Sequence, residues 1–156
     1  MSGEVAKRFY SSVLFVCLGN VIRSPVCEGL LRHLVNNVKV DSAAVTEDDI
    51  NCHPNKFSQR IAREHGYDIS SHISRLVTKK DFQDFDLIVS LEEYVFELLE
   101  DMKPANSHAK VVRFAPYDID NPWWNPYEDF VVMYKQIEKE MDVFIRNYIN
   151  PANIKK

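Results

Sequence analysis

A cysteine and an arginine separated by five residues stand in Cys17-Leu18-Gly19-Asn20-Val21-Ile22-Arg23-Ser24. A loop of this length, set between a strand and a helix N-terminus, can curl so that successive N–H groups point inward. Such a nest, completed by the helix dipole, binds a tetrahedral dianion. Those inward N–H groups would face the oxygens of the bound dianion. Arg23 would close the ring with a planar fork matched to two of those oxygens. Cys17 would lie at the bottom, where the field that favours phosphate also favours a thiolate nucleophile. Gly19 and Asn20 tolerate the unusual backbone angles of a tight ring. Ser24 can donate its hydroxyl to the sulfur and also serve as the helix N-cap.

The flanking residues have to supply that strand and that helix. Val13-Leu14-Phe15-Val16 is an apolar, β-forming run, the pattern of a strand buried on both faces. Ser24-Pro25 then starts a helix, with proline at its first position, and Val26, Leu30, Leu31, Leu34 and Val35 follow at helical spacing. Further strands are expected over residues 38–44, 85–90 and 110–114, and helices over 57–65, 92–101 and 128–148. Residues 115–127, with three prolines and two tryptophans, read as a long ordered loop. This alternation predicts an α/β chain: three αβα layers around a doubly wound, four-stranded parallel sheet. Ligands of such sheets sit at the carboxyl ends of the strands. A single domain over residues 1–156 is expected, with residues 1–10 a loose N-terminal extension.

The chain has 156 residues, 46% hydrophobic and 27% charged, with a formal net charge of −4. That balance excludes a disordered chain and argues against a general nucleic-acid binder. Four glycines, with no Gly-Lys-Ser/Thr, exclude a Walker-type site. No apolar run approaches the roughly 18 residues of a membrane helix, so no membrane span is expected. Three cysteines, Cys17, Cys27 and Cys52, fit free thiols in a reducing cytoplasm better than a disulfide framework. Cys27 falls on the buried side of its helix. The spacing of Cys52, His53, His65 and His72 matches no zinc pattern, and no metal or other cofactor is expected.

The segment from Val13 to Pro25 resembles the active-site signature of the low-molecular-weight protein tyrosine phosphatases. The resemblance continues through Asp41-Ser42-Ala43-Ala44, Ser71-His72-Ile73-Ser74-Arg75 with Asp81-Phe82, and Asn121-Pro122-Trp123-Trp124. It implies a two-step, cofactor-free reaction. Cysteine attacks phosphorus, an aspartic acid protonates the leaving phenol, and water hydrolyses the cysteinyl-phosphate. It further implies that Cys17 is the nucleophile and Arg23 the transition-state clamp, that the backbone N–H groups of Leu18, Gly19, Asn20, Val21, Ile22 and Arg23 hold the phosphoryl oxygens, and that Asn20, Ser42 and His72 shape the loop alongside Ser24.

Three positions depart from that pattern. The usual Asp-Pro of the acid loop is Asn121-Pro122, and a carboxamide cannot protonate a leaving group. General acid catalysis is typically worth roughly 10²–10⁴-fold; Asp120 or Asp118 would have to act as surrogate. Ile22 replaces a second loop cysteine, so the loop holds no partner for a protective disulfide with Cys17. The substrate wall, often aromatic in the family, is acidic at Asp48, with Trp123 and Trp124 forming the opposite wall.

The resemblance and its departures give a leading expectation of an acid phosphatase-like protein tyrosine phosphatase, with activity reduced by Asn121. Its substrates would be phosphotyrosine proteins or small aryl phosphates, with inorganic phosphate as product or inhibitor, and it would act as a monomer. A phosphotyrosine-binding pseudophosphatase is the alternative. An arsenate reductase ranks third, because no relay cysteine pair is present between residues 57 and 90.

Overall fold

Strand β1 (Ser12–Cys17) is buried along its whole length. Its side chains alternate between two cores: Val13, Phe15 and Cys17 face one, Leu14 and Val16 the other. A strand covered on both faces needs apolar residues at every position, which accounts for the unbroken run in the sequence. The computed structural model describes residues 8–156. Strands β2 (Lys39–Ala44), β3 (Leu87–Ser90) and β4 (Lys110–Arg113) join β1 in a parallel sheet of order β2-β1-β3-β4. Cys17 pairs with Ala44 at the carboxyl edge, and Val16 pairs with Ser90. The order reverses at β1, so the crevice above its carboxyl end is the topological switch point where α/β sheets bind ligands.

Helices α1 (Arg23–Leu34), α2 (Lys56–Glu64) and α5 (Tyr127–Tyr148) cover one face, and α3 (Asp81–Asp84) and α4 (Glu93–Met102) the other. The αβα layers, four parallel strands and element order agree with the sequence-based expectation. Two elements were not expected, α3 and a 3-10 turn at Pro151–Asn153. Both are too short to show a periodicity. Among the described residues, no helix is long and apolar enough to cross a membrane.

Two local expectations are corrected. Helix α1 starts at Arg23, one residue before the expected serine cap; its N-cap position is Ile22, with no side-chain cap. Tyr10, expected in a loose extension, is docked: its N–H donates to the Tyr148 carbonyl at 2.8 Å and its ring packs edge-on against Tyr148. Residues 1–7 of that extension lie outside the described residues.

The loops that carry the site are tied to the sheet by an arginine fork. Arg75 bonds both Asp81 oxygens, at 2.9 and 3.0 Å, and reaches Asp41 at 3.0 Å. This joins β2, the segment holding His72, and the start of α3.

Candidate active site

The loop between β1 and α1 wraps around the Cys17 sulfur. The Asn20 N–H points at Sγ from 3.3 Å, and Ser24 Oγ lies 3.0 Å from it. Asn20 makes the turn with φ of 61°, in the left-handed region where asparagine is among the few tolerated side chains. Its side chain is completely buried and fixes the ring. Nδ2 donates to Ser24 Oγ at 2.7 Å and to Ser42 Oγ at 2.9 Å. Since Ser24 Oγ accepts from Asn20, its own hydrogen is available to the sulfur. Ser24 is the second residue of α1, inside the helix and not at its N-cap.

The other half of the network runs away from the sulfur. Ser42 Oγ donates to Glu28 Oε1 at 2.6 Å, and Glu28 Oε2 pairs with Arg32 at 2.7 Å. With both Asn20 amide hydrogens committed, Oδ1 is an acceptor, so the His72 Nε2 that lies 3.0 Å away donates to it. His72 Nδ1 faces Glu28 Oε1 at 3.5 Å. Asn20, Ser24, Ser42 and His72 are thus brought together in one network, and Glu28 joins them. Burial pushes the Glu28 carboxyl up and the His72 imidazole down, since each loses hydration as an ion.

The shift at His72 has a checkable consequence. A histidine held below its unfolded value binds fewer protons in the folded state, so its stabilising contribution is lost as pH falls through about 6.5. Glu28 acts in the opposite sense, its contribution fading as pH rises above the ordinary carboxylate range. His72→Gln keeps an N–H for Asn20 and removes the titration. The melting temperature of this variant should fall less than that of the wild type between about pH 7 and pH 5.5. Equal losses would mean that His72 does not carry the acid sensitivity.

Arg23 is buried at the same ring. Its Nη1 donates to the Ile119 carbonyl at 2.9 Å and its Nη2 to Glu92 Oε1 at 2.8 Å. These contacts aim the guanidinium and balance its charge. Cys17, Leu18, Gly19, Asn20, Val21, Ile22 and Arg23 form the floor of a cavity of about 220 Å³. Its rim is Thr46, Asp48, Asp49, Asn121 and Trp123. Asn121 and Asp48 thus both line this cavity. Asp120 does not line this cavity; it is exposed, on a neighbouring depression, and its N–H bonds Gln136. Asp118 is committed elsewhere, to Arg113 at 2.7 Å and the Glu93 N–H at 2.8 Å.

The rings of Trp123 and Trp124 pack against each other, their centroids 5.1 Å apart. Trp123 borders the cavity and Trp124 does not; Trp124 is 87% exposed, at φ of 68°, and lines a neighbouring depression with Trp123, Phe57 and Phe130. Cys27 is fully buried beneath the loop, and burial pushes its thiol well up, with Cys17 adding to the shift. Glu28, Asp41 and His72 place ligand-type atoms within 4.8 Å of one another. Each already has a protein partner, in Arg32, Arg75 and Asn20 respectively.

Sequence reasoning missed Glu28, Glu92, Thr46 and Asp49. Glu28 had one local signal, lying four residues after Ser24 and so on the same helical side.

A model of the family "Low molecular weight phosphotyrosine protein phosphatase" matches residues 12–156. A Gallus gallus protein of that name is 36% identical over 92% of this chain and 96% of its own length. The solved structure of Vibrio vulnificus Wzb in complex with benzylphosphonate superposes with a TM-score of 0.81, at 27% identity, over 88% of this chain and 98% of that one. A structure described as DARP, a drosophila arginine phosphatase, gives a TM-score of 0.82 at 27% identity, over 89% and 98%.

Proposed function

Because the chain belongs to the low molecular weight phosphotyrosine protein phosphatase family, we propose that it hydrolyses phosphate monoesters through a cysteinyl-phosphate on Cys17. The observation that carries this reading is the buried ring itself, with one thiol below inward-turned backbone and one aimed arginine. A phosphoryl group seated there has its phosphorus above Sγ and its leaving oxygen towards the rim. Thiolate attack forms the S–P bond and expels the phenol oxygen. Water then attacks phosphorus and restores the thiolate. Arg23 and the nest stabilise the equatorial oxygens of both transition states. Phosphotyrosine proteins and small aryl phosphates are the substrates, and inorganic phosphate is product and competitor. The enzyme is proposed to work as a monomer in the cytoplasm, a reducing compartment suited to three unpaired cysteines.

Asn121 on the rim favours slow turnover of phosphotyrosine. It also supports a second reading, in which the protein holds phosphotyrosine and barely turns it over. Turnover of p-nitrophenyl phosphate, with Cys17→Ser as blank, separates the two, because nitrophenolate departs with little help from an acid. Measurable turnover lost in Cys17→Ser, with rapid iodoacetate labelling of Cys17 that phosphate slows, is expected. Absence of turnover together with tight phosphotyrosine-peptide binding would establish the binding protein. Labelling of Cys17 no faster than that of Cys52 would remove the catalytic claim.

A further inference from the structure

Arg23 is aimed by two acceptors that belong to different elements. Its Nη1 donates to the Ile119 carbonyl, in the loop after β4, and its Nη2 to Glu92, at the start of α4. These take two of a guanidinium's five N–H groups. The others can meet a phosphoryl group only while the two acceptors keep their spacing. The Ile119 N–H ties the loop to the Leu91 carbonyl at 3.0 Å. A second tie lies one residue further out on each side. Asp118 Oδ1 accepts from the Glu93 N–H at 2.8 Å, at the N-terminus of α4, where the helix favours a carboxylate. The same oxygen accepts from Arg113 Nη2 at 2.7 Å, and Arg113 Nη1 pairs with Glu93 Oε2 at 3.1 Å. Arg113 ends β4, beside Ser90 of β3, so this joint is anchored on the sheet.

Stability alone does not account for the joint. The side chains of Asp118 and Glu93 are 56% and 49% exposed, and ion pairs open to water contribute little. Among the described residues, Arg113 Nε is the one buried side-chain nitrogen or oxygen left without a hydrogen-bond partner, a cost that such pairs do not readily offset. What the joint fixes is position. Asp118 precedes Ile119 and Glu93 follows Glu92, so one cluster sets both acceptors of Arg23. Resting on the phosphatase reading above, we infer that Asp118, held by Arg113, is a positioning residue for phosphoryl transfer that acts through the aim of Arg23. It touches neither the phosphorus nor the leaving group.

The test measures kcat and KM for p-nitrophenyl phosphate in Asp118→Ala, alone and combined with Arg23→Lys. Asp118→Ala should lower kcat by about tenfold and leave KM within about threefold, since a misplaced stabilising group is felt where charge develops. Inhibition by vanadate, a five-coordinate mimic of the transition state, should weaken by about tenfold, and inhibition by phosphate far less. With lysine at position 23, Asp118→Ala should change kcat by less than about twofold, because residues that act as a unit are not additive. Loss of an acid at position 118, or a general loosening of the fold, would instead cost as much with lysine as with arginine. Arg113→Gln frees Asp118 without removing a carboxyl group, and shows the same pattern at smaller size should Asp118→Ala fail to fold. An unchanged kcat, a loss confined to KM, or a loss undiminished by Arg23→Lys overturns the inference and leaves the phosphatase reading standing. A wild type that does not turn over p-nitrophenyl phosphate removes both.

Discussion

Arg23→Lys is expected to lower phosphatase turnover by about 10³-fold while the protein stays folded. Removing one pre-aimed donor from a charge-stabilising site costs on the order of 10²–10³ in kcat, and lysine removes more than one. Its ammonium cannot present the planar pair of N–H groups that matches two equatorial oxygens. Arg23 is held from behind by the Ile119 carbonyl and Glu92, so a lysine loses that aim as well. Glu92, with a side chain only 16% exposed, would then pull the shorter cation towards itself and away from the phosphoryl group. Because the positive charge is kept, Glu92 is not left unpaired, and the melting temperature should change little. The loss should fall mainly on kcat, because the oxygens gain charge in the transition state. A loss below tenfold would show that Arg23 is a structural partner of Glu92 and not a clamp.

What the sequence disclosed and what it hid follow a physical division. The strand β1 and the helix after it were legible because burial on both faces imposes an unbroken apolar run, and helical packing imposes a periodic one. The phosphate loop was legible because its chemistry is local, a cysteine, an arginine and two conformationally tolerant residues in eight positions. Ser24 was read both as a partner of the sulfur and as a helix cap, and the structure gives it only the first of these contacts. A serine before proline has the form of a helix cap, but here its hydroxyl is claimed by Cys17 and Asn20 from the first turn. Glu28 and Glu92 were hidden because a glutamate on a helix is ordinarily solvated. Only the tertiary structure brings Ser42 to one and Arg23 to the other. The fates of Asp120 and Asp118 were equally unreadable, since neighbouring loop residues point in directions that the sequence does not encode. For the same reason the sequence did not show that Trp123 lines the cavity while Trp124, its ring packed on Trp123, does not.

Asn121→Asp should raise turnover of phosphotyrosine by roughly 10²-fold or more, the ordinary worth of a positioned general acid. The residue lines the cavity above Cys17, whereas Asp120 and Asp118 do not, so a carboxyl group there would meet the leaving oxygen. The new acid stands across the rim from Asp48 and Asp49, and like charges nearby favour its protonated form, the form that donates. The gain should shrink for p-nitrophenyl phosphate, whose leaving group needs little protonation. This graded response identifies the missing step, since a general improvement in folding or binding would raise turnover of both substrates alike. If Asp120 already served as acid, Asn121→Asp would change little and Asp120→Asn would abolish most activity. The exposed position of Asp120, outside the cavity, argues for the opposite result: Asp120→Asn close to wild type, and the whole effect at position 121. No response at either position would mean that the loop at residues 120–123 is not where the leaving group departs.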